Sequence, residues 1–92
     1  MIKGNKIELT LGNNIYKISN KEDLTRFIGK LIEDLKNNPE TWENLSLENY
    51  LEAMQSWLDD MEGWEKNFNI NTSKINTWEL IGIILLASKM YE

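Results

Sequence analysis

The sequence predicts a mainly α fold of the α+β class, an N-terminal β-hairpin followed by three helices around one core. Three observations predict it. Apolar and polar residues alternate early and break at a Gly-Asn-Asn stretch, three later segments carry apolar residues at helical spacing behind capping residues, and 92 residues leave room for one core. With 41% hydrophobic and 27% charged residues, the composition is that of a folded chain rather than a disordered one. Residues 1–92 are read as a single domain, with the hairpin at 6–18 and a helical body at 20–92.

In the hairpin, Ile7, Leu9 and Leu11 share one face, while Glu8 and Thr10 share the other. Gly12-Asn13-Asn14 tolerates the positive φ of a tight turn, and residues 15–18 form the returning strand. Two strands alone are marginal in water, so the hairpin must lie on the helices or pair through an edge.

Ser19 with Glu22 has capping-box spacing, and Leu24, Phe27, Ile28, Leu31, Ile32 and Leu35 follow at helical intervals, predicting a first helix over 20–36. Asn37-Asn38-Pro39 ends it, because proline restricts the residue before it and cannot continue the hydrogen-bond ladder. Trp42, in the connector, is expected to plug the core. Ser46 caps a second helix, whose core face is expected to be Leu47, Leu51, Met54, Leu58 and Met61 and whose stop is expected at Gly63. Residues 64–75 read as a polar connector in which Phe68 and Ile70 touch the core. Asn76 with Glu79 opens a third helix through Tyr91; apolar residues nearly encircle it, leaving only a strip near Glu79, Gly82 and Lys89. A helix of that kind is central or lies at a subunit contact.

The charge distribution is uneven. Residues 37–65 hold eight carboxylates (Glu40, Glu43, Glu48, Glu52, Asp59, Asp60, Glu62 and Glu65) and no lysine or arginine, whereas both flanks are slightly basic, so the net charge of −5 is local to this block. On the second helix Glu48, Glu52, Asp59 and Glu62 fall on one stripe. A concentrated acidic face near Trp57 and Trp64 suits a basic protein partner, with the carboxylates steering association and Trp64 or Trp57 supplying buried contact. Direct nucleic-acid binding by this face is disfavoured, because phosphates would meet carboxylates without a neutralising cation.

Other chemistries are poorly served. Without cysteine or histidine the chain lacks thiolate ligands, disulfides and the usual general base, and its serines have no histidine to activate them. The run Asp59-Asp60-Met61-Glu62-Gly63 lacks the alternating acidic ligands and fixed glycine of a calcium loop, so no metal or cofactor is expected and no enzymatic activity either. The longest apolar run, 80–87, is too short to cross a bilayer, and the opening residues lack the apolar core of a signal peptide; the expectation is a cytoplasmic chain without a membrane partner.

The run Asn38-Pro39-Glu40-Thr41-Trp42-Glu43-Asn44-Leu45-Ser46-Leu47-Glu48-Asn49-Tyr50-Leu51-Glu52-Ala53-Met54, followed by Trp57, Asp60 and Gly63, resembles a family of short bacterial proteins known only as a domain of unknown function. The end of the chain resembles that family too: Trp78 opens the last helix, a small residue precedes a basic one, and Tyr91-Glu92 follow. The resemblance spans residues 20–92, leaves out the hairpin, and implies no catalytic residues. Small acidic proteins of this style also resemble immunity proteins of bacterial toxin systems. The functional expectation is therefore an immunity protein that neutralises a basic toxin such as a nuclease. Two alternatives are a phage-encoded inhibitor that mimics nucleic acid toward a defence nuclease, and a non-enzymatic adaptor or homodimeric structural protein.

Overall fold

The computed structural model describes the backbone of residues 2–3, 6–7 and 9–91 and the side chains of residues 9–91. β3 (Leu9–Leu11) and β4 (Asn14–Tyr16) form the expected hairpin, with Leu9 opposite Tyr16 and Leu11 opposite Asn14. Gly12 takes the positive φ of 63° in the two-residue turn, a conformation closed to most side chains. Leu9 and Leu11 are buried and Thr10 is exposed, as alternation requires. Lys6 and Ile7 do not extend this ladder; they form β2 (Lys6–Ile7), antiparallel to β1 (Ile2–Lys3). The facing expected of Ile7 and Glu8 lies outside the described side chains.

α1 (Lys21–Asn37) is capped by Asn20, one residue later than the predicted cap. Asn20 accepts a hydrogen bond from the Asp23 amide at 2.9 Å, and the Asp23 carboxylate accepts one from the Ser19 amide at 3.0 Å. Asn20 and Asp23 repeat the Ser19 and Glu22 spacing, and the later start leaves the Ser19 carbonyl free to accept from the Asn76 amide at 2.9 Å. Leu24, Phe27 and Leu31 are buried, whereas Ile28, Ile32 and Leu35 are exposed over a third or more of their surface. A 3-10 turn at Pro39–Thr41 then carries Trp42 into the core, as expected of a plug.

α2 (Leu47–Phe68) is capped by Ser46, whose hydroxyl accepts from the Asn49 amide at 3.1 Å. Two expectations fail here. The helix passes through Gly63 and stops at Asn69, which adopts the left-handed conformation at φ 53° and ψ 49°. Glycine costs a helix interior only about 1 kcal/mol, less than packing Trp64 against Trp57 returns. The core face also differs, because Ala53 and Trp57 are buried while Leu47 and Leu51 are 73% and 51% exposed and Leu58 is exposed too. A buried indole removes more surface than a leucine, so the helix is turned roughly a quarter of a revolution from the leucine stripe. Met54 and Met61, on the edge between the two faces, are partly buried.

A second 3-10 turn, Thr72–Lys74, is held to the end of α2 by the Glu65 carboxylate, which accepts from the Thr72 amide at 3.1 Å and hydroxyl at 3.0 Å. Phe68 is exposed rather than in the core, since it belongs to the final turn of the lengthened helix; Ile70 is partly buried. α3 (Thr77–Met90) is capped by Asn76, which accepts from the Trp78 amide at 2.8 Å. It is the central helix, in contact with α1, α2 and β3. Two members of its non-apolar strip face inward: Gly82 and Lys89 are buried, as is Ser88, while Glu79 is partly buried and Trp78, Ile81 and Met90 are exposed. The reason at Gly82 is steric, since a β-carbon there would run into Ile18 Cδ1 and lie 3.5 Å from Leu9 Cδ1. The absent side chain is what lets the hairpin seat on α3. No helix among the described residues is long and apolar enough to cross a membrane.

Candidate functional site: a protein-binding surface

The connector between α1 and α2 is tied to the last turn of α3. Lys89 donates to Asp34 at 2.8 Å, the Trp42 indole N–H donates to the same carboxylate at 2.8 Å, and the Asn38 amide donates to its other oxygen at 3.3 Å. The Lys89 ammonium also lies 5.4 Å from the Trp42 ring centroid, a cation–π contact. Glu43 and Asn44 donate their backbone amides to the Lys89 carbonyl, and the Asn44 side chain donates to the carbonyls of Ser88 at 3.0 Å and Tyr91 at 2.7 Å. These carbonyls belong to a helix end that leaves its last acceptors unsatisfied, so Trp42-Glu43-Asn44 acts as a cap supplied from a distant segment. The Tyr50 hydroxyl donates to the Leu85 carbonyl at 2.7 Å, and burial pushes the phenol up to about 12. The residues that carry the family resemblance are therefore largely architectural.

That architecture opens a groove. α1 and α2 each pack mainly on α3, and the space between them is an apolar groove of about 400 Å³. Ile28, Ile32 and Leu35 of α1 form one wall, Leu45 and Leu47 form the other, and Leu85 of α3 lies beneath. Trp42 and Tyr50, held by the bonds above, also line it. The sequence places Ile28, Ile32 and Leu35 on the same apolar stripe as the buried Leu24, Phe27 and Leu31. The available signal was the width of the α1 stripe, more than contact with one partner helix needs.

Glu48, Glu52, Asp59 and Glu62 are all exposed on α2, and among the described residues none of them is in an ion pair. They lie beside the exposed leucine stripe, on the side away from the core. Asp59, Glu62 and Trp64 border one shallow hollow of about 530 Å³, together with Gly63 and Tyr91. Glu48 lies toward the other end of α2, next in sequence to the groove residue Leu47, whereas Glu52 borders a separate hollow with Asn44, Ala53 and Tyr91. Asp60 lines the same hollow as Asp59 and Glu62 and accepts the Tyr91 hydroxyl, a bond that raises the Tyr91 pKa. Trp57 cannot serve as an exposed anchor: it is 5% exposed, a core residue drawn inward by its area. Trp64 is partly buried against it, with ring centroids 5.4 Å apart. Among the described residues no three acidic side chains converge as a metal site would require.

No curated protein and no solved structure matches the chain. A family model does match, over residues 20–92, the span from the cap of α1 through the capped end of α3. On that match the chain belongs to a family of unknown function, DUF7660.

Proposed function

We propose that this is a small acidic binding protein that inhibits a basic protein partner, in the manner of an immunity protein covering a toxin such as a nuclease. The observation that carries the reading is the exposed carboxylate face of α2, in which none of the four side chains is in an ion pair among the described residues. Apart from Glu48, whose place in the first turn of α2 suits the helix dipole, these carboxylates repel one another, a cost that a basic surface would relieve. Exposed charge of this kind raises association rates more than it raises affinity, because it acts before contact is made. Rapid capture is what neutralising a toxin requires. Trp64, at the edge of the acidic hollow, offers a partly desolvated ring on which a lysine or arginine can stack.

The test is kinetic. With a basic partner captured from the native host and identified, reversing Glu52 and Asp59 to lysine should slow association about tenfold at low salt and flatten its salt dependence, since steering decays over a Debye length of about 8 Å at physiological ionic strength. Lys30→Glu is the control: Lys30 lies on α1 and pairs with Glu33 at 3.1 Å, so its reversal should change little. Unchanged association for the double reversal removes the α2 face from the interface.

A further inference from the structure

We propose that the apolar groove between α1 and α2 is the docking site for an amphipathic helix of the partner, one with basic residues along a single flank. This rests on the reading of the α2 face as a surface for a basic protein and adds where the partner's apolar contact falls. Ile32 and Leu47, on opposite walls, are 50% and 73% exposed, and large apolar side chains displayed in one concavity mark an interaction site. From Ile28 to Leu35 the α1 wall runs about 10 Å, two helical turns, which matches the span of three apolar side chains at i, i+3 or i+4, and i+7 of a docked helix.

The charges at the rims choose the occupant. On the α2 side the exposed Glu48 directly follows Leu47, and Glu40 and Glu43 stand in the connector at one end. On the α1 side, at about 100° per residue, the first charged position beyond Ile32 is Lys36. A docked helix therefore meets acid on its α2 flank, whereas on its α1 flank the charge is mixed, Lys36 and then the exposed Glu33, so lysine or arginine belongs on the first. A second copy of this chain is a poor occupant, because a symmetric pairing through the groove brings two acidic rims together. A nucleic acid is excluded by the same charges.

The experiment displays a library of helical peptides about 14 residues long, with leucine fixed at i, i+3 and i+7 and with lysine, glutamate or serine allowed at each flanking position. Selection uses the full chain, and the enriched peptides are measured by fluorescence anisotropy against Ile32→Glu, Leu47→Glu and the pair Glu48→Lys with Glu52→Lys. The substituted positions are all exposed, and circular dichroism checks that each variant keeps its helices. The expected result is enrichment of lysine on one flank only and at least tenfold weaker binding to both groove variants, with a smaller, salt-dependent loss for the charge reversals. No enrichment, or enriched peptides lacking one-sided lysine, overturns the proposal. Lysine-rich peptides that feel the charge reversals but not the groove variants overturn it while leaving the acidic-surface reading in place; peptides indifferent to both remove both. Sedimentation of the chain alone provides the last arm, since a dimer abolished by Ile32→Glu would give the groove to a second copy.

Discussion

Lys89 Nζ lies 2.8 Å from Asp34 Oδ2 although 55 residues separate them, with only 10% and 11% of the two side chains exposed. The pair joins the C-terminal turn of α3 to that of α1, and the Trp42 indole completes it from the connector. Breaking a buried pair by neutralising one member leaves the other charge without compensation. Asp34→Asn should therefore cost about 3 kcal/mol, measured as a drop in the urea midpoint. Adding Lys89→Met should recover at least half, because the asparagine can still accept from Trp42 and no stranded charge remains. A cost below about 1 kcal/mol for the single change would show that the pair is solvated.

The same pair shapes the response to pH. Burial by itself pushes the Asp34 carboxyl up, but hydrogen bonds from Lys89 and the Trp42 indole, the Lys89 charge and the Asn38 amide together hold it below its ordinary 3.8. Its folded value lies below its unfolded one, so its contribution is present above 3.8 and is lost as the pH falls through the folded value. Tyr50 acts at the other end: its contribution is complete below 10 and is lost as the pH rises toward its folded value of about 12. Glu79 opposes Asp34 in acid, since burial raises its carboxyl against the lowering effect of the Lys17 charge, and protonation there favours folding. Urea midpoints across the pH range should show a flatter acid limb for Asp34→Asn and a flatter alkaline limb for Tyr50→Phe. Limbs identical to the wild type would remove these groups as causes.

Asn44 bonds to both the Ser88 and Tyr91 carbonyls, so Asn44→Ala should destabilise by about 1–3 kcal/mol through acceptors left unpaired. The local signature is more specific than the global one. Amide hydrogen exchange should accelerate first in the last turn of α3 and in the connector, whereas uniform acceleration along the chain would show that the cap has no local role.

Two helical glycines should respond with opposite signs. Gly63 has no heavy atom within 4 Å of an added β-carbon, so Gly63→Ala should stabilise by about 0.5–1 kcal/mol. At Gly82 the same propensity gain is offset by the buried Ile18 methyl, which has to shift to admit a β-carbon, so Gly82→Ala should destabilise by about 1 kcal/mol. Equal shifts in melting temperature would contradict the close seating of the hairpin on α3.

Local chemistry decided what is local. The turn at Gly12, the caps at Ser46 and Asn76, and the end of α1 before Pro39 were all legible in the sequence, because each depends on a side chain or a φ constraint acting within a few residues. The acidity of α2 was legible for the same reason, since charge needs no fold to be counted. Which face of each helix turns inward was not. Periodicity marks an apolar stripe, but α2 buries Trp57 instead of Leu51 because an indole removes more surface, and α1 buries Leu31 while Ile32 stays out because α3 covers only part of the stripe. The inward-facing Gly82, Ser88 and Lys89 depend on partners far away in sequence: Ile18 needs the space at Gly82, and Asp34 with Trp42 supplies the charge and the ring that Lys89 requires. The groove was invisible for the same reason. It exists because α1 and α2 pack mainly on α3, a relation among three helices that no single stretch of the chain contains.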